Sequence, residues 1–413
     1  MAAPMWKTIP CKIAELRLDL TLACGQSFRW KEYMPGIYTG VIGNGVWQLH
    51  QTDTELFYKV YRNKDDVKAE LGDAVDIKQE IKTEPDLDTV VPAKKRKKEN
   101  SKMHCIKKEP VDNLIPKVKK DLETMNSHCL KSFPPVHNNS SVEQETDSDD
   151  HVLKDYFQLD IKLEEMYKSW SKADQHFSKI SKEFTGIRML RQEPVECLFS
   201  FICSSNNNIS RITSMVDKLA KHYGRKILVS NCVDGEEFYI FPKVEALAAE
   251  GVEENLRKLG FGYRAKYIQQ SARYIQENGG EDWLYTMRSM EYKDAKKNLM
   301  KLCGVGAKVA DCVALMCLDQ PGSIPVDTHV WQIAARDYMP KLKQAKSLNE
   351  KLYEEIGDYF RDLWGPYAGW AHSVLFTADL KQFKNGTKES PKKAVKRKGK
   401  DSTKEEKKKS KSK

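Results

Sequence analysis

The apolar and polar positions of the first 70 residues follow the short periods that are typical of strands. Three segments are rich in Val, Ile, Tyr and Trp: 37–42, 46–52 and 56–62. Such segments favour β-strands, and Asn44-Gly45 between the first two predicts a hairpin turn. We therefore predict an antiparallel sheet domain over residues 1–70, backed by a helix around residues 13–19.

From residue 155 to about residue 379 the apolar positions instead recur at helical spacing, as in Leu163, Met166, Tyr167 and Trp170. The region is long enough for a helical domain of eight or more helices, which we place at 151–382. Within it, 294–318 predicts a distinctive unit. A short helix over 294–302 precedes Gly304-Val305-Gly306, where two glycines allow a tight turn, and a second helix follows over 308–318.

Two segments differ from these domains in composition. Residues 71–150 are poor in aromatics and rich in Lys, Glu, Asp, Ser and Pro, so they predict a disordered, charged linker. Residues 383–413 predict a disordered basic tail. Residues 381–413 hold fifteen Lys or Arg against four Asp or Glu, a net charge of +11, whereas the whole chain carries +10. The folded part is therefore near neutral, and net charge says little about its partner.

The linker contains short patterns that indicate targeting and modification. Lys-Lys-Arg-Lys-Lys at 94–98 resembles a nuclear localisation signal, so we expect a nuclear protein. Residues 1–14 lack acidic side chains, which leaves a mitochondrial pool open as an alternative. Three copies of the apolar-Lys-x-Glu pattern predict SUMO conjugation at Lys78, Lys82 and Lys107.

The cysteines and the hydropathy narrow the class of protein further. There are ten cysteines but no Cys-x-x-Cys pair, which indicates free thiols in a reducing compartment and argues against a zinc site. No apolar run approaches the length of a membrane span, and the N-terminus lacks the apolar core of a secretory signal. We expect neither a cofactor nor a membrane partner.

Two residues near the glycine turn are candidates for chemistry. Lys308 lies in the first turn of the second helix, and the amine of a neutral lysine is a nucleophile. Asp327 is placed to cap a third helix that starts near Thr328, where its carboxylate could stabilise positive charge on a sugar. The turn itself, with Gly304 and Gly306, leaves N–H groups unpaired at a helix N-terminus, which suits phosphate binding.

These motifs resemble those of the helix-hairpin-helix DNA glycosylases. The resemblance rests first on Leu-Cys-Gly-Val-Gly-Ala-Lys at 302–308 and Pro-Val-Asp-Thr-His-Val at 325–330. Three further stretches resemble the eukaryotic 8-oxoguanine DNA glycosylases: Gly-Gln-Ser-Phe-Arg-Trp at 25–30, Phe-Ile-Cys-Ser-Ser-Asn-Asn-Asn at 201–208, and Trp-Gly-Pro-Tyr-Ala-Gly-Trp at 364–370. Similar stretches cover roughly 1–70 and 150–382, so the resemblance extends over both predicted domains.

The resemblance implies an α+β fold in which a sheet domain like that of the TATA-binding protein joins a mainly helical domain. It implies a monomeric enzyme that excises 8-oxoguanine opposite cytosine in double-stranded DNA and also cleaves the strand, with Lys308 and Asp327 as catalytic residues. The residues that it implies for the damaged base are Gly25, Cys312, Met316, His372 and Phe376. Those that it implies for DNA are Asn206, Arg211, Tyr263, Arg264, Gly304, Gly306 and His329. A structural cation at the carbonyls of Met300, Leu302 and Val305 is a further implication.

Two positions depart from the family pattern. His372 stands where the family usually has glutamine, and Cys303 stands where the hairpin usually has proline. Two alternatives therefore stay open, namely a helix-hairpin-helix glycosylase of another lesion specificity and a non-enzymatic DNA-binding protein. The second of these requires neither Lys308 nor Asp327 at this spacing, so their joint presence favours an enzyme.

Overall fold

The computed structural model describes residues 4–63, 148–229, 232–233, 235–380 and 383. Lys78, Lys82, Lys107, the basic run at 94–98 and most of the predicted linker and tail lie outside the described residues. Within the described ranges the chain forms an antiparallel sheet followed by a mainly helical region, so the predicted α+β fold class is confirmed. In these same ranges, no helix combines the length and the apolar character needed to span a membrane.

The N-terminal sheet has five antiparallel strands in the described residues, in the order β1-β5-β4-β3-β2. Their bounds are β1 Lys7–Pro10, β2 Lys31–Met34, β3 Ile37–Ile42, β4 Gly45–Gln51 and β5 Glu55–Tyr61. The three predicted strands agree with β3, β4 and β5 to within one residue. The hairpin turn falls one residue earlier than predicted, at Gly43-Asn44, because Ile42 pairs with Gly45 and Gly43 takes a φ of +55°.

A helix that follows the linker in the sequence covers the buried face of this sheet. This helix, α2 (Ser148–Tyr156), lies directly before Phe157, which packs with Leu153 of α2 against Trp47 and Tyr58. The predicted helix around 13–19 is wrong, since α1 spans only Leu18–Thr21. The backbone N–H groups of Ile13 and Arg17 instead donate to the carbonyls of Asp53 and Gly186, at 2.9 and 2.7 Å. Those long-range bonds hold this stretch out of a local helix.

Helices form most of the regular structure in the described region after α2. They are α3 Leu163–Ala173, α4 Gln175–Ile180, α5 Pro194–Ser204, α6 Ile209–Tyr223, α7 Val244–Ala248, α8 Val252–Lys258, α9 Arg264–Glu277, α10 Glu281–Thr286, α11 Tyr292–Leu299, α12 Ala307–Cys317, α13 Thr328–Ile333, α14 Glu350–Trp364 and α15 Ala368–Asp379. Short strands β6 Lys226–Ile227 and β7 Phe238–Tyr239 pair with each other, and Ala334–Tyr338 forms a π-helical turn after α13. The cysteines among the described residues are free thiols, as predicted.

Helix α12 lies between two hydrophobic clusters, and this fixes its position in the fold. Val309 and Val313 pack in a cluster with α5 and α9, whereas Leu315 packs in a second cluster with α13, α14 and α15. Because most of its residues are buried, α12 has few ways to shift. Lys308, in its first turn, is therefore held on a rigid element.

Candidate active site

The turn between α11 and α12 depends on one glycine. Gly304 has a φ of +79°, and a Cβ at this position would lie 2.3 Å from the ring of Tyr267. Gly306 has extended angles (φ −91°, ψ −179°) that any residue adopts, so the expectation that both glycines bend the chain is wrong for Gly306. Gly306 is instead the N-cap of α12 and supplies no side-chain cap. The first-turn N–H groups of α12 are thus left available for an anion.

The two glycines should therefore respond differently to an added methyl group. Gly304→Ala forces a left-handed angle on an L-residue, which costs about 1–2 kcal/mol, and adds the clash with Tyr267. Gly306→Ala meets open space and should cost less than about 1 kcal/mol. Urea unfolding of both variants measures the difference. Equal losses of stability would contradict the assignment of the turn to Gly304.

Lys308 lies half-buried at the start of α12. Its Nζ is 5.3 Å from the centre of the Phe201 ring, and Phe201 is itself buried on α5. One turn further on, burial raises the pKa of the Cys312 thiol to about 11, while the charge of Lys308 opposes this shift. The amine is thus located between an aromatic ring and a thiol, both on well-packed helices.

Asp327 caps α13, as predicted. Its Oδ1 accepts hydrogen bonds from the N–H groups of His329 and Val330, both at 2.9 Å. Neither bond uses Oδ2. The cap holds the carboxylate in one orientation and stabilises its charge at the positive end of the short helix.

His372 is a buried histidine whose pKa depends on the charges of both candidate catalytic residues. It is 6% exposed on α15, and burial lowers its pKa to about 4. The charge of Asp327 opposes this shift, whereas the charge of Lys308 adds to it. The carbonyl of Gly369 also favours the protonated ring, although the contact falls outside hydrogen-bond geometry, and neither ring nitrogen has a hydrogen-bond partner among the described residues.

The buried His372 should make folding stability depend on pH. Its folded pKa of about 4 lies below the ordinary value of 6.5, so the unfolded chain binds the proton more readily. Stability is therefore complete above pH 6.5 and falls as the pH drops towards 4. Between pH 7.5 and pH 4.5, wild type should lose about 2–3 kcal/mol more than His372→Gln. Urea unfolding at both pH values measures this difference, and identical losses would contradict the buried, neutral assignment.

Phe376, one turn after His372 on α15, contacts two histidine rings. The ring of Phe376 stacks near that of His372, with centres 6.3 Å apart and planes inclined by 29°. On its other side Phe376 makes an edge contact with the exposed His329, also at 6.3 Å. On α12, Cys312 is buried in the cluster with α5 and α9. The half-buried Met316 packs against both clusters.

The loop that contains Gly25 is fixed to the same region. Gly25 has a φ of +86°, and Gln192 donates from Nε2 to the carbonyl of Gln26 at 2.8 Å. The N–H of Gln192 donates in turn to the carbonyl of Met316 at 2.9 Å. Burial raises the pKa of the neighbouring Cys24 thiol, and a hydrogen bond from Gln26 and an interaction with Thr377 of α15 oppose this shift. The loop is thus joined to both α12 and α15.

The residues predicted to contact DNA opposite the lesion form a group at the end of α5. Tyr263 is 45% exposed, and its hydroxyl donates to the carbonyl of Ser205 at 3.0 Å. Arg264 lies beneath it, 3% exposed, with its guanidinium 4.5 Å from the Tyr263 ring and hydrogen bonded to the carbonyls of Ser205 and Asn206. Arg264 therefore supports the 205–206 loop in this structure, and contact with a base would require it to leave those carbonyls.

Two further predicted contacts lie beside this group. Asn206 adopts a φ of +47°, which is uncommon for a non-glycine residue and typical of functional loops. Arg211 is exposed on α6, where Nη2 reaches the carbonyl of Gly260 at 3.5 Å. Ser205, Tyr263, Gly304 and Gly306 line one shallow cavity, so the structure places the hairpin beside the Asn206 loop.

The predicted cation at the hairpin stays a prediction. The carbonyl of Leu302 accepts the N–H of Val305 at 3.2 Å, and this bond closes the turn. A carbonyl oxygen has two lone pairs, so the bond does not by itself exclude a cation.

Sequence reasoning missed a set of buried polar residues beside Lys308. Asp311 is fully buried on α12 and contacts Lys296, Tyr292 and Tyr353. A signal was present, because Asp311 interrupts an otherwise apolar stretch of a helix whose faces are mostly buried. The identity of its partners could not be inferred, since Tyr353 lies 42 residues away along the chain.

Fold and site together define a class of protein. The chain has a helix-hairpin-helix unit with an uncapped second helix, a lysine in the first turn of that helix, and a capping aspartate close by. This is the arrangement expected of a helix-hairpin-helix DNA glycosylase.

Comparison with known proteins identifies the family. Residues 8–198 match the model of the 8-oxoguanine DNA glycosylase N-terminal domain, and residues 199–357 match that of the HhH-GPD superfamily base excision DNA repair proteins. The chain is 45% identical over 234 residues to the N-glycosylase/DNA lyase OGG1 of Arabidopsis thaliana, a match that covers 55% of this chain and 62% of that relative. It is 30% identical over 239 residues to a probable N-glycosylase/DNA lyase of Methanothermobacter thermautotrophicus, covering 53% and 71% of the two chains.

The fold is also that of a solved structure. MBOgg1, determined in complex with a low-affinity DNA ligand, superimposes with a TM-score of 0.62 at 24% identity, over 91% of this chain and 96% of the other. The chain belongs to the 8-oxoguanine DNA glycosylase family within the HhH-GPD superfamily.

Proposed function

We propose that this protein is a bifunctional DNA glycosylase and AP lyase that removes 8-oxoguanine paired with cytosine. The observation that carries the proposal is that Lys308, in the first turn of the uncapped α12, and Asp327, whose carboxylate caps α13, lie on two helices that pack in one hydrophobic cluster. A nucleophile and a fixed carboxylate are the groups that cleavage of an N-glycosidic bond requires. The names of the relatives and the two matched family models support the same activity.

The reaction begins with extrusion of the damaged nucleotide, because its C1′ cannot be reached inside the duplex. Extrusion costs a few kcal/mol. Exposed Tyr263 and the Asn206 loop are placed to fill the space that the base leaves. The first-turn N–H groups of α12 would hold a backbone phosphate next to the flipped nucleotide.

The chemistry then follows from the two charged residues. As the bond between C1′ and the base breaks, its electron pair moves to the base, which takes a proton, and positive charge develops on the sugar. The fixed Asp327 carboxylate stabilises that charge. The ammonium group of Lys308 gives one proton to the departing base, and the free amine then bonds to C1′. The C1′–O4′ bond breaks, O4′ takes a second proton from the nitrogen, and a protonated Schiff base remains. Loss of a C2′ proton then expels the 3′ phosphate, and hydrolysis frees the lysine.

Recognition of the base would depend on His372, Phe376 and the residues around them. His372 is neutral at physiological pH, so it offers one donor and one acceptor. Both ring nitrogens are buried and have no hydrogen-bond partner among the described residues, so contact with a base edge would require the site to open. Phe376 supplies a stacking face, with Cys312 and Met316 as further walls. In the family, the carbonyl at the Gly25 position accepts the N7–H of the oxidised base, and we assign Gly25 the same role here.

A panel of duplexes tests the substrate. Single-turnover base release and strand cleavage would be measured with 8-oxoguanine opposite cytosine, with plain guanine opposite cytosine, and with 8-oxoguanine opposite adenine. The proposal predicts both products from the first duplex and little from the others. Efficient release of an alkylated base, with 8-oxoguanine left intact, would instead support a glycosylase of another specificity. That alternative stays open because His372 stands where the family usually has glutamine.

We further propose, from the family resemblance, that the protein acts as a monomer. From the sequence patterns of the linker we propose that it is nuclear and that the linker is modified by SUMO. The combined Lys78→Arg, Lys82→Arg and Lys107→Arg variant should lose the slower-migrating species that wild type forms in cells. An unchanged pattern of modified species would refute the assignment. Deleting residues 94–98 and imaging the protein would test nuclear import in the same cells, while also reporting any mitochondrial pool.

A further inference from the structure

Asp311 is a fully buried carboxylate that lies one turn after Lys308 on α12. Its Oδ1 accepts hydrogen bonds from the Tyr292 hydroxyl at 2.6 Å and the Ser323 hydroxyl at 2.9 Å. Its Oδ2 accepts one from the Tyr353 hydroxyl at 2.5 Å and pairs with Lys296 at 3.0 Å. Burying a carboxylate costs free energy of folding unless hydrogen bonds and an opposite charge compensate it. The four partners of Asp311 supply both, and we call this group the Asp311 centre.

These partners come from three parts of the fold. Tyr292 and Lys296 lie on α11, the first helix of the hairpin, and Tyr353 lies on α14. Ser323 begins the loop that leads to Asp327. Asp311 therefore joins the helix that carries Lys308 to the loop that carries the second candidate catalytic residue.

Tyr353 extends this connection to the residue before Asp327. Its hydroxyl donates to Asp311 and accepts the N–H of Val326 at 3.3 Å. Burial and the Asp311 carboxylate raise the pKa of Tyr353 far above its ordinary value, so the hydroxyl stays a donor at every relevant pH. The loop over 323–327 is thus held at both ends, at Ser323 directly and at Val326 through Tyr353.

Lys296 balances the charge of the centre. Burial by itself lowers the pKa of Lys296, but Asp311 and Glu354 outweigh this effect and raise it, so the amine stays protonated. Its Nζ lies 2.8 Å from Glu354 and 3.0 Å from Asp311. Charge in this centre is therefore paired, and the centre does not need a metal or ligand to be satisfied.

We propose that Asp311 and Tyr353 are positioning residues, which set the place of the Asp327 carboxylate relative to the Lys308 amine. The inference rests on the proposed function of these two residues. Neither Asp311 nor Tyr353 touches the substrate in this account. They act through the backbone at Val326, one residue before Asp327.

A pair of matched variants isolates the connection. Tyr353→Phe and Tyr292→Phe each remove one hydroxyl that donates to Asp311, but only Tyr353 also holds the N–H of Val326. Misplacement of a catalytic group by about 1 Å costs about 10²-fold in rate. We expect Tyr353→Phe to slow single-turnover release of 8-oxoguanine about 10-fold with DNA affinity unchanged, and Tyr292→Phe to slow it less than about 3-fold.

Hydrogen exchange of the full-length protein supplies a readout that does not depend on activity. The peptide that contains Val326 should exchange faster in Tyr353→Phe than in wild type or Tyr292→Phe, because its N–H loses an acceptor. Urea unfolding should show similar midpoints for the two variants, since each loses one hydrogen bond to the same buried carboxylate.

The outcomes separate the inference from the function on which it rests. Slower base release and faster exchange in Tyr353→Phe alone would support the positioning role. Equal slowing in both variants would overturn it, because the centre would then be merely structural, and so would an unchanged rate in Tyr353→Phe. Wild-type protein that releases no base would overturn the proposed function and the positioning role together, whatever the exchange shows.

Discussion

On a duplex with 8-oxoguanine opposite cytosine, Asp327→Asn is expected to release the damaged base about 10³-fold more slowly than wild type, as loss of a preorganised electrostatic group would predict. The carboxamide is neutral, so it cannot stabilise the positive charge that develops on the sugar. Single-turnover kinetics with excess protein measure the loss, because they isolate the chemical step from product release.

This substitution should leave the fold intact, which makes the kinetic result interpretable. Asparagine caps helices about as well as aspartate, and its amide oxygen can accept the same N–H groups of His329 and Val330. Asp327→Ala removes the charge and the cap together and should cost about 1 kcal/mol of stability in addition. Base release by Asp327→Asn at the wild-type rate would exclude Asp327 from the chemistry.

Lys308→Gln is expected to abolish strand cleavage and to slow base release at least about 10²-fold, because a water nucleophile lacks the fixed position of the amine. Glutamine keeps most of the length of the side chain but cannot form a Schiff base. Gel analysis of the cut strand, with and without alkali, separates the two effects. Alkali reveals any abasic site that the variant leaves uncut.

The matched control for this variant is Lys301→Gln. Lys301 is an exposed lysine of the same hairpin whose Nζ bonds the side chain of Asn298, so its loss removes one positive charge near the DNA without touching the chemistry. It should weaken DNA binding modestly and preserve both base release and strand cleavage. Equal effects of the two substitutions would show that only charge matters at position 308.

Local signals in the sequence predicted much of the fold and part of the site. Strands β3 to β5 follow from composition and from the turn signal at Asn44-Gly45, and the cap at Asp327 follows from its place before a helix. The edge strand β1 was not predicted because Ile9 alone is buried in it, which leaves no alternation to detect. All of these features depend on residues that are close to one another in the sequence.

Features that depend on distant residues could not be predicted in this way. The conformation around Arg17 is set by a bond to Gly186, and the sheet is covered by Leu153 and Phe157 from beyond the linker. The burial of Arg264 and the centre at Asp311 likewise depend on contacts between separate helices. Alternation and spacing carry no information about such pairings.

Borohydride trapping tests the central claim most directly. Wild-type protein and Lys308→Gln would be incubated with a duplex that contains 8-oxoguanine opposite cytosine, beside the same duplex with plain guanine, and then reduced. The account predicts a covalent protein–DNA adduct only for wild type and only with the damaged duplex. An adduct that persists in Lys308→Gln, or base release by wild type without any adduct, would contradict it.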